Sequence, residues 1–181
     1  HGRLEPLQEQ DAWQALEDAG CVGENLEVDT GVYAGVMYND YAYQANQDAN
    51  LNKSVYRSWE SFSIANRLSH FMGFRGPSFA VDTACSSSGT ALHLACSGLR
   101  NQECRLAVAG GVNCILDPRR LEQLSRLGIL SPSGKCRPFG SEADGVLLGE
   151  GVGTVVLKPL DAALEDGNRI YGVIKGTALS S

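Results

Sequence analysis

The sequence predicts an α/β fold, a largely buried sheet flanked by helices, and three observations support this prediction. Short apolar runs with the composition of strands alternate along the chain with segments whose apolar residues recur at helical spacing. Glycine and proline residues separate many of these segments. The 181 residues, of which 43% are hydrophobic, suffice for one core, and they contain no repeat, low-complexity block or linker. We therefore expect residues 1–181 to form a single globular unit or part of one.

Two helices and one strand are predicted in the first part of the chain. A helix over Leu7–Ala19 ends at Gly20, a residue type that commonly follows a helix. The small and apolar residues of Thr30–Met37 indicate a buried strand. Residues 38–56 are polar and predict a long exposed loop. Helical spacing resumes over Ser58–Met72, and Gly73 to Pro77 are expected to end that helix. The core-facing side chains are expected to be Ala12, Trp13, Leu16 and Ala19 in the first helix and Phe62, Ala65, Leu68 and Met72 in the second.

The second part of the chain continues the alternation of strands and helices. A short strand, Ser78–Val81, leads into a helix that begins near Ser86–Ser88, whose hydroxyls are expected to cap it, and that extends to Leu99. The elements expected to follow are a strand over Leu106–Val112, a helix from Asp117 to Gly128, a loop over Ser131–Ser141, a strand over Gly145–Leu157, a short helix over Leu160–Asp166 and a final strand over Ile170–Ile174.

Composition and charge exclude several classes of protein. A net charge of -6 gives no general attraction to nucleic acid or to an anionic membrane. No apolar run approaches the roughly 20 residues that span a bilayer, and the first residues do not resemble a signal peptide. The six cysteines include no C-x-x-C pair and the three histidines form no cluster, so we expect neither a metal site nor a disulfide scaffold. Reduced thiols and a cytoplasmic location are expected.

Cys85 is the candidate nucleophile because it lies where a strand stops and a helix starts. The unpaired N–H groups and the dipole of a helix N-terminus favour an anion, and therefore the thiolate of a cysteine placed there. Such a thiolate attacks acyl carbonyls, and the same N–H groups are candidates to stabilise the resulting oxyanion. Acyl transfer from a thioester is the reaction class that this arrangement favours. The alternative is a small cysteine buried in the core.

The histidines of this chain are poor partners for that cysteine. His93 follows Cys85 by eight residues, about 12 Å along the same helix, which is too far for a hydrogen bond. His70 lies near a predicted helix end and can approach only through tertiary folding, and His1 is terminal. Either the catalytic group is incomplete in this chain, or its partner lies in sequence that the chain does not include.

The run from Gly76 to Ser88, with the helix that follows it, closely resembles the active-site segment of ketosynthase domains in modular polyketide synthases. Further blocks match in the same order over nearly the whole chain: residues 12–20, 35–41, 63–69, 109–113, 134–139, 143–145 and 149–153. The block at residues 35–41 is typical of the branch whose acyltransferases act in trans. The chain differs from the usual pattern at Gly89-Thr90, Gly140 and Leu147.

The resemblance implies a thiolase-like fold, of which this chain is the N-terminal half, a mixed sheet flanked by helices. It also implies that Cys85 takes an acyl chain from the phosphopantetheine arm of an acyl carrier protein, with no cofactor bound directly. Decarboxylative condensation with a malonyl-type extender follows in the complete domain. Two histidines of the family's second half, in His-Gly-Thr-Gly-Thr and Asn-x-x-His motifs, support that step, and neither motif occurs here. We therefore expect residues 1–181 to be a partial domain that lacks the first strand and the histidine-bearing half.

Two alternatives to condensation remain open from the sequence. The first is a non-elongating relay that accepts and passes on an acyl chain, and the second is a catalytically silent scaffold for carrier proteins or a dimer. An intact Cys85 argues against the scaffold, because a scaffold does not require that residue at that junction. The family implies a homodimer. A half-sheet without its partner exposes apolar surface, so we expect association with a second copy or with the missing half.

Overall fold

The structure, a computed structural model, describes residues 4–38, 40 and 60–180. A single-turn 3-10 helix at Gly23–Asn25 accompanies the main elements. The helices are α1 (Leu4–Asp18), α2 (Phe62–Met72), α3 (Ser87–Arg100), α4 (Pro118–Arg126) and α5 (Leu160–Glu165), and the strands are β1 (Thr30–Gly35), β2 (Ser78–Val81), β3 (Leu106–Asn113) and β4 (Gly151–Leu157). In this part of the chain no helix is long and apolar enough to cross a membrane.

The four strands form one sheet in the order β2-β1-β3-β4. β1 is parallel to both of its neighbours: Val32 lies opposite Ser78 of β2, and Thr30 lies opposite Leu106 of β3. All six residues of β1 are buried, as expected for a central strand with both faces covered. In β4, at one edge of the sheet, exposed and half-buried residues alternate over most of the strand.

Helices cover the two faces of this sheet. On one face, Val32 and Val108 pack with buried side chains of α1 and α2, including Leu16 and Leu68. On the other face, Tyr33 and the alternating alanines of β3 pack with α3; the buried residues of this cluster are Tyr33, Ala91, Ala95, Cys104, Ala107 and Ala109. The small residues on this second face let α3 approach the sheet closely, and this approach positions the candidate site.

The predicted helix ends are confirmed at Gly20 and Gly73. The N–H of Gly20 bonds to the carbonyl of Glu17 and that of Cys21 to Leu16, which closes α1 around a residue with a φ of 69°. Gly73 caps α2 in the same left-handed conformation. The predicted loop over residues 38–56 lies outside the described residues, apart from Tyr38 and Asp40.

Two side chains predicted to face the core are exposed instead. Trp13 is 40% exposed. The buried positions of α1, Ala12 and Leu16, are spaced by four residues and share one face of the helix, and Trp13 lies outside that face. Phe62, the first residue of α2, is 54% exposed, whereas Ile64 and Leu68 of that helix are buried.

Two predicted strands are wrong in extent or in kind. The strand expected over Gly145–Leu157 begins only at Gly151, and Val146 makes an isolated bridge with Leu130. The strand expected over Ile170–Ile174 does not form, since residues 168–180 have neither helix nor strand. Apolar composition favours a strand locally, but a strand also needs a neighbouring strand for its hydrogen bonds.

The chain forms two compact units. One comprises the described parts of residues 1–112 and 152–181, and the other comprises residues 113–151. In the second unit, the predicted loop after α4 is held by Asp144, whose carboxylate accepts hydrogen bonds from Ser131 Oγ at 2.6 Å and from the N–H of Ser133 at 3.3 Å. These bonds hold the pKa of Asp144 below its usual value.

Candidate active site

Cys85 lies in a sharp turn between the end of β2 at Val81 and the start of α3 at Ser87. The residue before it, Ala84, has a φ of 56°, a left-handed conformation that is unfavourable for any residue with a Cβ. The Cys85 side chain is exposed, so the core interpretation of this cysteine is wrong. The predicted arrangement of strand, turn and helix is confirmed here.

Hydrogen bonds from both sides of the cysteine hold this turn. Asp82 Oδ1 accepts from the N–H of Ala84 at 3.0 Å. Ser87 Oγ accepts from the N–H of Thr83 at 3.0 Å and donates to the carbonyl of Ala84 at 2.6 Å. The side chain of Ser87 therefore closes a ring that contains the strained residue.

The hydroxyl of Ser86, predicted to cap α3, bonds to the turn instead. Ser86 occupies the N-cap position of α3, but its hydroxyl makes no cap bond to the helix and instead donates to the Thr83 carbonyl at 2.7 Å. The hydroxyls thus hold the turn rather than the helix end. Backbone donors are also engaged, because the N–H of Ser86 bonds to the Thr83 carbonyl and that of Ser87 to the Ala84 carbonyl. These two N–H groups are already paired, so they are not free to stabilise an oxyanion.

Close contact between α3 and the sheet fixes where the turn sits. Gly35, the last residue of β1, lies directly beneath the start of α3: a Cβ at this position would come within 2.7 Å of the Ser88 nitrogen and 2.8 Å of the Ser87 carbonyl carbon. Gly111 of β3 faces the Ser88 side chain in the same way. Two glycines at neighbouring positions of the parallel sheet, paired in register, therefore form the surface on which the start of α3, directly after the Cys85 turn, rests. The sequence showed these glycines but not what they approach.

Neither described histidine hydrogen-bonds Cys85. His93, in α3, is held by Thr177, whose Oγ1 lies 2.9 Å from Nδ1 of the imidazole. Arg100 Nη2 donates to the same hydroxyl at 2.9 Å, so this pair ties the last described segment to α3. His70 is exposed in the last turn of α2, and His1 lies outside the described residues.

Cys85 differs from most of the other cysteines in its environment. Burial raises the pKa of the thiols of Cys21, Cys104 and Cys114, which favours their unreactive protonated form. Cys136 is the other exposed cysteine among the described residues, but it lies in an irregular loop. It therefore serves as a natural control for exposure without the turn. Over the described residues, no three His, Cys, Asp or Glu side chains are grouped to hold a metal.

A cavity of about 760 Å³ lies elsewhere in the larger unit. Side chains of α1, the last turns of α3, β4 and the segment around Ile174 line it, and Cys85 is not among them. The cavity is therefore separate from the candidate nucleophile.

Comparison with known proteins places this geometry in a family. The family profile described as "Beta-ketoacyl synthase, N-terminal domain" matches residues 5–163. The chain is 47% identical over 176 residues to the polyketide synthase PksM of Bacillus subtilis, a match that covers 93% of this chain and 4% of the relative. It is 48% identical over 171 residues to a phenolphthiocerol/phthiocerol polyketide synthase of Mycobacterium tuberculosis, which covers 93% of this chain and 9% of the relative.

The fold of this chain also occurs within larger solved ketosynthases. The oxazolomycin ketosynthase domain OzmH KS7 of Streptomyces albus matches with a TM-score of 0.81 and 43% identity, over 90% of this chain and 29% of that one. The ketosynthase from module 6 of the Bacillus subtilis bacillaene synthase matches with a TM-score of 0.82 and 38% identity, over 93% of this chain and 29% of that one.

These matches confirm the predicted thiolase-like α/β fold and its assignment to the N-terminal half. The chain spans under a tenth of the curated relatives and under a third of the solved ketosynthases that it matches. On the family profile, the identities and the shared fold, the chain belongs to the beta-ketoacyl synthase family, and it is related to the ketosynthases of polyketide synthases.

Proposed function

We propose that Cys85 is the nucleophile that accepts an acyl chain from an acyl carrier protein. The observation that carries the proposal is the exposed sulfur at a left-handed turn, held by hydrogen bonds at the start of a helix. A rigid, exposed nucleophile suits a large substrate, because the acyl chain arrives on the phosphopantetheine arm of another protein rather than from free solution. Membership of the ketosynthase family supports the same assignment.

The proposed reaction has two stages. In the first, the Cys85 sulfur attacks the thioester carbonyl, a new C–S bond forms, and the phosphopantetheine thiol leaves with the proton that Cys85 gave up. In the second, a malonyl-type thioester loses CO₂, and the carbanion formed attacks the acyl carbon on Cys85. The C–S bond to Cys85 then breaks, which regenerates the cysteine and leaves a chain longer by two backbone carbons on the carrier.

The second stage needs groups that Cys85 does not supply. The family resemblance implies two histidines for decarboxylation and for stabilisation of the carbanion, in motifs that residues 1–181 do not contain. Within the described residues, His93 is bonded to Thr177 and His70 is exposed on another helix. We therefore assign the acyl-accepting step to this chain and the condensation to the complete domain.

Acylation can be tested by intact mass. The protein is incubated with an acyl-carrier thioester, beside the variants Cys85→Ala and Cys136→Ala. We expect one acyl adduct on the wild type and on Cys136→Ala, which removes the other exposed cysteine, and none on Cys85→Ala. No adduct on the wild type, or an adduct that persists in Cys85→Ala, contradicts the proposal.

A second measurement separates condensation from relay. When malonyl-carrier protein is added to the acylated complete domain, condensation releases one CO₂ for each acyl group consumed. A relay returns the acyl group to a carrier without CO₂. An acyl-enzyme that releases no CO₂ therefore identifies the non-elongating alternative.

We also propose that this chain associates with a second copy or with the histidine-bearing half of its domain. Apolar side chains support this: Phe79, in the edge strand β2, is 42% exposed, and Tyr171 and Leu179 are more than half exposed. Sedimentation of the chain should give a mass above its 19.3 kDa. A monodisperse monomer contradicts association with a second copy, and no complex when the histidine-bearing half is added contradicts association with that half.

A further inference from the structure

Thr90, in the second turn of α3, reaches back across the cysteine to the turn. Its buried side chain places Oγ1 2.8 Å from Oγ1 of Thr83, within hydrogen-bonding distance. Thr83 precedes Cys85 by two residues and Thr90 follows it by five, so this bond spans the nucleophile. Ser86 Oγ lies 2.9 Å from the Thr83 hydroxyl and shares with it the hydrogen that it donates to the Thr83 carbonyl, so hydroxyls lie on both sides of Cys85.

The bond matters because the turn is strained. Ala84 has a φ of 56°, and a residue with a Cβ keeps this conformation only when its surroundings hold it. Rotation of Ala84 toward an ordinary conformation would turn the next residue, Cys85, away from its present direction. Thr83, on the other side of Ala84, is fixed to α3 twice: through its N–H to Ser87 Oγ and through its hydroxyl to Thr90.

The α3 end of this link is itself rigid. Ala91 and Ala95, on the same helix, are fully buried against the sheet. Thr90 therefore connects the turn to the packed part of the protein, whereas the hydroxyl of Ser86 reaches only Thr83, which is exposed, among the described residues.

We propose that Thr90 is a positioning residue for Cys85: its hydroxyl, acting through Thr83, holds the left-handed turn and so sets the direction from which the sulfur attacks a thioester carbonyl. This inference rests on the proposed acyl transfer to Cys85. Thr90 itself is buried and need not touch the substrate. Its loss should slow the chemical step and leave carrier binding unchanged.

The test is Thr90→Val, which keeps the branched shape and removes the hydroxyl. At saturating acyl thioester, the first-order rate of Cys85 acylation should fall about threefold to tenfold, the effect of one lost hydrogen bond. The half-saturating thioester concentration should change by less than about twofold. Thr90→Ser, which keeps the hydroxyl, should retain the wild-type rate.

Ser97→Ala is the matched control, because Ser97 is on the same helix and its hydroxyl bonds, among the described residues, to the His93 carbonyl at 3.0 Å and not to the turn. It should acylate at the wild-type rate even where thermal unfolding shows a loss of stability like that of Thr90→Val. An unchanged rate in Thr90→Val overturns the proposal. So does equal slowing in Ser97→Ala or in Thr90→Ser.

Alkylation of Cys85 by iodoacetamide separates this proposal from the proposed function. The reagent needs no carrier and no acyl group, only the exposed sulfur in its held position. If the wild type forms no acyl-enzyme, the acyl-transfer function fails, and the alkylation rates still decide the role of Thr90. Slower alkylation in Thr90→Val, with Thr90→Ser and Ser97→Ala at the wild-type rate, supports the positioning role; equal rates in all four proteins overturn it.

Discussion

Gly35→Ala is predicted to displace the candidate nucleophile from below. The added Cβ would lie 2.7 Å from the Ser88 nitrogen and 2.8 Å from the Ser88 Cα, and both of these are backbone atoms of the first turn of α3. Restoring an ordinary contact of 3.4 Å requires the helix start to move by about 0.7 Å. Such overpacking lowers the free energy of unfolding by about 1–3 kcal/mol. A shift of this size at a reacting group lowers the rate by about 10- to 100-fold.

Two assays measure this effect, with Gly153→Ala as the matched control. Gly153 is also a strand glycine, in β4, but a Cβ there meets nothing within 4 Å. Urea unfolding should show the loss of stability, and the time course of acyl-Cys85 by intact mass should show the loss of rate, in Gly35→Ala alone. Loss of stability without loss of rate would refute the claim that Gly35 positions Cys85. Wild-type behaviour in both assays would refute the close contact itself.

Three further predictions concern stability. Gly73→Ala, at a φ of 71°, should lower the free energy of unfolding in urea by about 1–2 kcal/mol. Gly89→Ala, in open space within α3, should raise it by about 0.5–1 kcal/mol. Effects of the same sign would contradict the backbone conformations of these two glycines. Hydrogen bonds lower the pKa of Asp144 in the folded state, so the free energy of unfolding of the wild type should fall as the pH drops below about 4, and that of Asp144→Asn should fall less. Parallel curves of this free energy, measured in urea, against pH would argue against these bonds. Burial raises the pKa of Tyr33, so its contribution to the free energy of unfolding should be lost as the pH rises above about 10. In an absorbance titration, Tyr33→Phe should remove one phenol that ionises at high pH, and an unchanged titration would count against the burial of Tyr33.

Local patterns predicted much of the fold. The helix ends at Gly20 and Gly73 and the strand over Ser78–Val81 follow from residue type and spacing within a few positions, and the structure has each of them. The strand predicted over Ile170–Ile174 failed because its formation depends on a partner strand, which local composition does not reveal. The exposure of Trp13 likewise depends on which stripe of α1 faces the sheet.

The sequence predicted where the candidate site lies, but not which contacts hold it in place. Cys85 at the junction of strand and helix followed from the sequence, because an apolar run ends and a helical pattern begins around it. The support from Thr90 and the contact of Gly35 with α3 were missed. Both depend on distances between atoms in the folded structure, which the order of residues does not reveal. That Cys85 is catalytic, and that its histidine partners lie outside residues 1–181, stay predictions.

The site of acylation is the most direct test of this account. After incubation with an acyl-carrier thioester, the protein is digested, and fragmentation of its peptides locates the acyl mass. We predict the acyl group on Cys85, at up to one per chain, with the peptide that contains the exposed Cys136 unmodified. An acyl group on Cys136, or on no cysteine of the chain while the carrier stays loaded, would contradict the assignment of Cys85 as the acyl-accepting nucleophile.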